Sequence, residues 1–220
     1  MRRVAEDVFQ IALTARDGVN AYLVGDVVVD AGAKVNAKRL IKALHGHAVG
    51  AHALTHGHLD HAGGSRQLVE AYDIPVWVGE GDRDAVQTGR PPAPETWAEP
   101  AVARFGGFEA VGVARALREG DELGHGFTVL ETPGHSDGHV AYWRERDRTL
   151  VLGDVLFNMH VRTTLPGLHE PPRIVTRDPR VNRESARRLA ALEPELALFG
   201  HGPPLRDPAA LTAFAEALEP

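Results

Sequence analysis

One order of elements occurs twice in this chain, and it constrains the fold more than any other feature of the sequence. VVVDAG reaches Asp30, a helical stretch AKRLIKALH follows, and the apolar run AVGAHAL then delivers ALTHGH with His56. Later, LVLGDV reaches Asp154, RESARRLAAL supplies a helix, and ELALF delivers LALFGH with His201. Asp30 therefore corresponds to Asp154, and His56 to His201. The repeat lies in supersecondary structure rather than in the residues themselves. It predicts two similar α/β halves, packed as a sandwich, with their strand-end loops meeting at one edge. No linker of the kind that separates independent domains divides them, so residues 1–220 are expected to form one domain.

The local patterns fill in this frame. VFQIAL and VNAYLVGDVVVDAG are rich in Val, Ile and Tyr and read as strands, with Gly25-Asp26 at a tight hairpin turn. Asn36 is expected to cap the helix after it, with Leu40, Ile41 and Leu44 on one face and Gly46 just past its end. SRQLVEAY reads as a second helix and IPVWVG as a strand. FTVLETPGHS is a strand ending in a Pro-Gly turn, and HVAYWRERDRTLVLGDVLF is a hairpin with a charged turn. Asp207 and Pro208 make an N-cap and first-turn pair for PAALTAFAEAL. Residues 80–118 and 160–181 read as irregular. Four prolines in GRPPAPETWAEPA rule out an ordinary helix or a central strand there. With Trp97, Phe105 and Phe108 nearby, that stretch is either a substrate-covering loop or a packed surface excursion, the second being the simpler expectation.

The chemistry concentrates in THGHLDHAGG, where His56, His58, Asp60 and His61 fall within six positions at a strand end. In a loop leaving a strand, this spacing turns alternate side chains toward different points, so one short segment can serve two neighbouring cations. Neutral imidazole suits zinc, iron and manganese, and a carboxylate adds charge. The bland alternative is a solvated loop that happens to be rich in histidine. The rest of the chain argues against it. His135 in TPGHSDGH, Asp154 in LGDVLF and His201 in FGHGPP also sit at strand ends beside glycine. His45, His47 and His52 read as structural or surface groups, His125 as part of a turn, and His160 and His169 as solvent-exposed. His139 opens a strand beside the site and is a candidate supporting residue.

In THGHLDH, PGHSDGH, GDVLF and FGHG, in this order, the chain resembles the metallo-β-lactamase-fold superfamily, whose His-x-His-x-Asp-His motif it matches in full. The resemblance implies a four-layer αββα sandwich with a binuclear site at one edge. It further implies that His56, His58 and His135 hold one metal, that Asp60, His61 and His201 hold the second, and that Asp154 bridges both. Asp30 matches a supporting position, and Asp60 is also a candidate orienter or proton carrier. The expected cofactors are two divalent ions, zinc first, with iron or manganese as alternatives. Two such cations sharing a water lower its pKa toward neutrality, giving a hydroxide that attacks a carbonyl or phosphoryl group.

The expected function is a metal-dependent hydrolase of a small ester-like bond, a thioester, a lactone or similar. The chain looks most like the hydroxyacylglutathione hydrolase and lactonase branches. It ends at Pro220, soon after His201, without the added C-terminal helical domain of the former, which weighs against glutathione thioesters. The alternative enzyme class is a persulfide dioxygenase with one iron on a His, His and Asp subset. Flavodiiron-type redox proteins are disfavoured because their motif replaces the second His by Glu. A net charge of −6 disfavours nuclease activity and any nucleic-acid partner. A non-catalytic metal-binding scaffold is the third reading, disfavoured by a complete donor set. With no cysteine, thiolate ligands and nucleophiles are excluded. No signal peptide or membrane span is apparent, so the expected location is cytoplasmic, with no membrane partner. The expected partner is a small-molecule substrate, with Trp97 a candidate contact for a homodimer.

Overall fold

The computed structural model describes residues 1–92 and 104–219. Trp97, the candidate dimer contact, and most of the proline-rich stretch, the candidate substrate cover, lie outside the described residues. Strands β1 (Arg2–Ala5), β2 (Val8–Ala12), β3 (Asn20–Val24) and β4 (Val27–Val29) form an antiparallel meander. The β3–β4 turn falls on Gly25-Asp26, and Gly25 takes the left-handed φ of +59° that such a turn demands. Helix α1 (Ala37–Leu44) then crosses to β5 (Ala51–Ala53), which runs parallel to β4. The short α2 (Leu59–Ala62) and α3 (Ser65–Tyr72) lead to β6 (Val76–Gly79), and α4 (Arg83–Thr88) precedes β7 (Arg115–Leu117), all in one seven-stranded sheet.

The second sheet has five strands. It contains β8 (Glu122–Gly124), β9 (Phe127–Glu131), β10 (Val140–Arg144), β11 (Thr149–Gly153) and β14 (Leu196–Phe199), with β14 parallel to β11. Between β11 and β14 lie a small hairpin, β12 (Phe157–Met159) with β13 (Pro166–His169), and helix α5 (Pro179–Ala190). Helix α6 (Pro208–Ala217) closes the described chain, with the Asp207 carboxylate accepting from the Ala210 N–H as expected.

Alternation along the strands builds the layers. Tyr22, Val24, Val27 and Val29 of the first sheet meet Val129, Val140, Tyr142 and Val151 of the second in one buried cluster between the sheets. Their neighbours point the other way: Leu23 and Val28 pack on Leu40, Leu44 and Leu68 of α1 and α3. Likewise Ala141, Trp143 and Leu150 pack on Ala186, Leu189 and Leu211 of α5 and α6. The result is helix, sheet, sheet, helix, as the repeat predicts.

Two tyrosines at equivalent places in that repeat reach across it. Tyr22 on β3 donates its hydroxyl to the Phe199 carbonyl at 2.6 Å, and Tyr142 on β10 donates to the Leu54 carbonyl at 2.7 Å. Each thereby grips, in the opposite half, the chain just ahead of a candidate ligand: Phe199 precedes Gly200-His201, and Leu54 precedes Thr55-His56. Asn20 adds bonds to the Phe199 and Gly202 carbonyls at 3.1 and 2.8 Å.

Some expectations need correction. Asn36 precedes α1, but its side chain accepts from the Ala33 N–H at 3.0 Å rather than capping the helix. The regions read as irregular contain α4, β7 and β13, and α5 starts earlier than expected, at Pro179, where the Asp178 carboxylate accepts from the Arg180 and Val181 N–H groups. Among the described residues no helix is long and apolar enough to cross a membrane.

Candidate metal centre

Every residue singled out by the sequence as a ligand arrives at one edge of the sandwich from the end of a strand. His56, His58, Asp60 and His61 follow β5, His135 follows β9, Asp154 follows β11 and His201 follows β14. Three groups of donor atoms each lie within 4.8 Å of one another: His56, His58 and His135; His56, His61 and Asp154; Asp60, His61 and His201. Asp154 sits in the middle. Its Oδ2 lies 3.1 Å from His201 Nε2, 3.3 Å from His61 Nε2, 3.6 Å from His135 Nε2 and 3.9 Å from His56 Nε2. Gly200 makes the closeness feasible, since a Cβ there would stand 2.1 Å from Asp154 Oδ1 and 2.6 Å from His61 Cε1.

The far nitrogen of each histidine settles its tautomer. His61 Nδ1 faces Asp30 Oδ2 at 2.8 Å, His201 Nδ1 faces the Gly18 carbonyl at 2.6 Å, and His58 Nε2 faces the Pro92 carbonyl at 3.1 Å. Each of these partners only accepts, so each of these nitrogens carries the proton. The Thr55 hydroxyl donates to Asp30 Oδ2 at 2.8 Å and therefore accepts from His56 Nδ1 at 3.0 Å. In the same way Thr176 donates to the Pro172 carbonyl at 3.0 Å and accepts from His135 Nδ1 at 3.2 Å. All five inner nitrogens consequently face Asp154 or each other, and each offers a lone pair whenever its ring is neutral.

Such an arrangement repels itself unless positive charge lies among the donors. His56 Nε2, His61 Nε2 and Asp154 Oδ1 are buried with no hydrogen-bond partner. Burial, with the neighbouring imidazoles, holds His56 and His135 well below the usual histidine range, and burial also lowers His58, so these three are neutral and ready to donate. Burial acts the same way on His61 and His201, but there the carboxylates win: Asp154 and Asp30 push His61 well up, and Asp154 and Asp60 bring His201 to about 10. Asp154 is held well below the carboxylate range, its burial outweighed by His201 and His61. A cation bound here takes the place of those protons. The residues present fit divalent metal ions.

The two candidate supporting residues both act on the donors. Asp30, at a left-handed φ of +60°, binds the Thr55 N–H at 2.8 Å as well as His61. His139 accepts from the Asp154 N–H through Nε2 at 3.1 Å, while its Nδ1 lies 2.8 Å from the Thr132 hydroxyl; burial brings it down to about 4. The sequence reading missed Asp82. Its buried carboxylate accepts from the Gly57 N–H at 2.8 Å, the Ser136 hydroxyl at 2.6 Å and the Gly138 N–H at 2.9 Å. It thus ties the loop carrying His58 to the loop carrying His135. Its position just past a strand end, in VGEGD, is the one signal that marks it.

Above the donors opens a cavity of about 530 Å³, lined among others by Asp60, Phe105, Phe157, Val161, Ile174 and His201. His160 and His169 meet edge to face, with ring centroids 5.3 Å apart, and do not line it.

Comparison with known proteins agrees with this geometry. The model of the metallo-beta-lactamase superfamily matches residues 14–201. The chain is 31% identical over 216 residues to the probable metallo-hydrolase YybB of Bacillus subtilis, covering 92% of this chain and 90% of that one. It is 30% identical over 149 residues to a hydroxyacylglutathione hydrolase of Bdellovibrio bacteriovorus, covering 66% of this chain and 46% of that relative. Among solved structures it is similar to TTHA1623 in a di-iron-bound form, with a TM-score of 0.67 and 32% identity over 90% of this chain and 94% of that one.

Proposed function

Because the chain belongs to the metallo-beta-lactamase superfamily, we propose that it is a binuclear metal-dependent hydrolase of a small ester-like substrate, a thioester, a lactone or a related acyl compound. The observation that carries this is the convergence of five imidazole nitrogens and two carboxylates on the floor of an open cavity. His56, His58 and His135 would hold one cation, Asp60, His61 and His201 the other, and Asp154 would contact both. When bound, a pair of divalent cations supplies a water acidified toward neutrality and a Lewis acid for the substrate carbonyl, and zinc suits a nitrogen and oxygen donor set, with iron and manganese the alternatives.

The chain's own residues do the remainder. Asp30, Thr55 and Thr176 fix the imidazole tautomers, so no reorganisation is needed when the donors engage. Asp60 is the most open of the carboxylates, with 44% of its side chain exposed, and it faces the cavity beside His201 Nε2 at 3.3 Å. With one oxygen of its carboxylate serving the cation, the other would take the proton that the attacking water gives up. That proton then passes to the leaving oxygen or sulfur as the acyl C–O or C–S bond breaks, giving a carboxylic acid and an alcohol or thiol. Donors come from both halves of the repeat, so residues 1–220 act as one domain in this reading. The same seven donors contain the His, His and Asp subset of a mononuclear dioxygenase, so metal content rather than the donor count separates the two readings.

The test is the exchange of both Asp60 and Asp154 to Ala, with metal content, folded state by circular dichroism and turnover on a thioester and lactone panel all recorded. Loss of metal and turnover with the fold retained supports the proposal. Undiminished turnover contradicts it.

A further inference from the structure

Beyond the metal donors, the described residues that line the cavity offer a substrate almost nothing polar. Among them each polar side chain, His58, Asp60, His135, Asp154 or His201, belongs to the donor set. The remaining lining is apolar, with Phe105, Phe157, Val161, Ile174 and Val175 as its main side chains. No lysine or arginine is part of it, and residues 93–103, which lie outside the described structure, contain none either. The Arg104 guanidinium stands at the outer rim, 5.5 Å from the Phe105 ring centroid, and is not part of the lining. A substrate carboxylate that passes inward of it would lose its hydration with no cation to receive it, apart from the centre needed for the chemistry.

A second observation concerns what the rim exposes. The large hydrophobic side chains exposed among the described residues are Met1, Val35, Phe105, Val161, Leu165 and Ile174. Three of them, Phe105 at 73%, Val161 at 49% and Ile174 at 52%, line this one cavity. They come from separate segments of the chain and meet only here. Apolar side chains left in water in one concave place mark a surface with an apolar occupant. The rim continues inward to Phe157, which is buried with its ring centroid 4.4 Å from that of His201. The apolar surface therefore leads directly to the donors, as a substrate chain would and a docking surface for another protein need not.

We infer that the cavity takes an uncharged, hydrophobic acyl group, so that the substrate is an ester, thioester or lactone of an aliphatic acid without a second carboxylate. This rests on the hydrolase reading above and adds to it the class of acid. The acyl chain lies against Phe157, Val161 and Ile174 while its carbonyl faces the donors. Selection comes from burial of methylenes and from exclusion of charge, with no hydrogen bond to the acyl chain.

The experiment uses the full-length, metal-loaded protein and two series of compounds. The first is p-nitrophenyl esters from acetyl to octanoyl, with the glutaryl ester as a charged comparison. The second is methyl alkyl ketones of the same chain lengths, which cannot be hydrolysed, with binding read by calorimetry. Each added methylene is expected to raise kcat/KM and ketone affinity up to about fourfold, the factor equivalent to ~0.8 kcal/mol per buried methylene. The glutaryl ester is expected to fall at least about tenfold below its uncharged counterpart. Ile174→Asp is expected to flatten both series, and Val35→Asp, exposed and not among the residues that line the cavity, to leave them steep. Hydrolysis that is independent of chain length, or that favours the glutaryl ester, overturns the inference and leaves the hydrolase reading intact. If neither these esters nor the thioester and lactone panel is turned over, that reading fails, and the ketones decide the cavity: a steep series that Ile174→Asp flattens sustains an acyl subsite, while a flat series overturns it.

Discussion

At the scale of single residues, the site is governed by which groups hold the donors still. Asp82 is the clearest case, since its carboxylate satisfies two backbone N–H groups and one hydroxyl from two different ligand loops. Asp82→Ala leaves those buried donors without an acceptor, and a loss of about 3 kcal/mol or more in urea unfolding is expected. Reduced metal affinity should accompany it, and a change below about 0.5 kcal/mol would remove Asp82 from the account. His52 gives a pH signature away from the ligands. Buried between the Val28 carbonyl and the Ser65 hydroxyl, it is held by burial below its ordinary value of 6.5. The folded protein keeps it neutral while the unfolded chain protonates below that pH. Its contribution to stability is therefore complete above about pH 6.5 and is lost as pH falls through the folded value. His52→Gln should flatten the fall in stability on acidification by up to one proton, or ~1.4 kcal/mol per pH unit. Parallel curves for the two proteins would contradict this. The seven candidate ligands were legible because each falls in a short local pattern at a strand end, either THGHLDH or a His or Asp beside glycine. Asp82 and Thr176 were not, because the contacts that define them join residues 54 and 41 positions apart.

At the scale of elements, the two halves are fastened by a crossed pair of hydroxyls. Tyr22 holds the end of β14 and Tyr142 holds the end of β5, so each half positions the other half's histidine. Burial, added to by the charge of Asp30, raises both phenols well above their ordinary value, so they remain donors across the accessible pH range. Tyr22→Phe and Tyr142→Phe should each cost about 1 kcal/mol or somewhat more in chemical denaturation, and each should weaken metal binding by the half it no longer grips. Loss of stability without any change in metal affinity would show a purely structural bond. The hairpins and the parallel crossovers were readable from alternation and turn residues, and with them the repeat. The strands β7, β8 and β13 were not. Each spans three or four residues, too few to show a period of two, and each exists because a neighbouring strand supplies its hydrogen bonds. Asn36 shows the same limit, since its side chain chose the nearer turn over the helix that follows.

At the scale of the whole molecule, the fold acts as a frame that brings strand ends from two sheets to one edge. There it gathers imidazole nitrogens and carboxylates, with buried polar atoms left unpaired, under a cavity whose described walls are apolar. The chain's resemblance to its superfamily could be read from its motifs, whereas the apolar character of the cavity could not, because its walls are assembled from segments with no shared pattern. The central claim is that this edge holds two divalent ions for hydrolysis. Elemental analysis of the purified, untreated protein tests it most directly, by counting metal atoms per chain. The account predicts about two, zinc first, with turnover lost on chelation and restored by returning the metal. About one iron per chain with oxygen uptake on a persulfide, or no metal retained even after zinc is supplied, would contradict it.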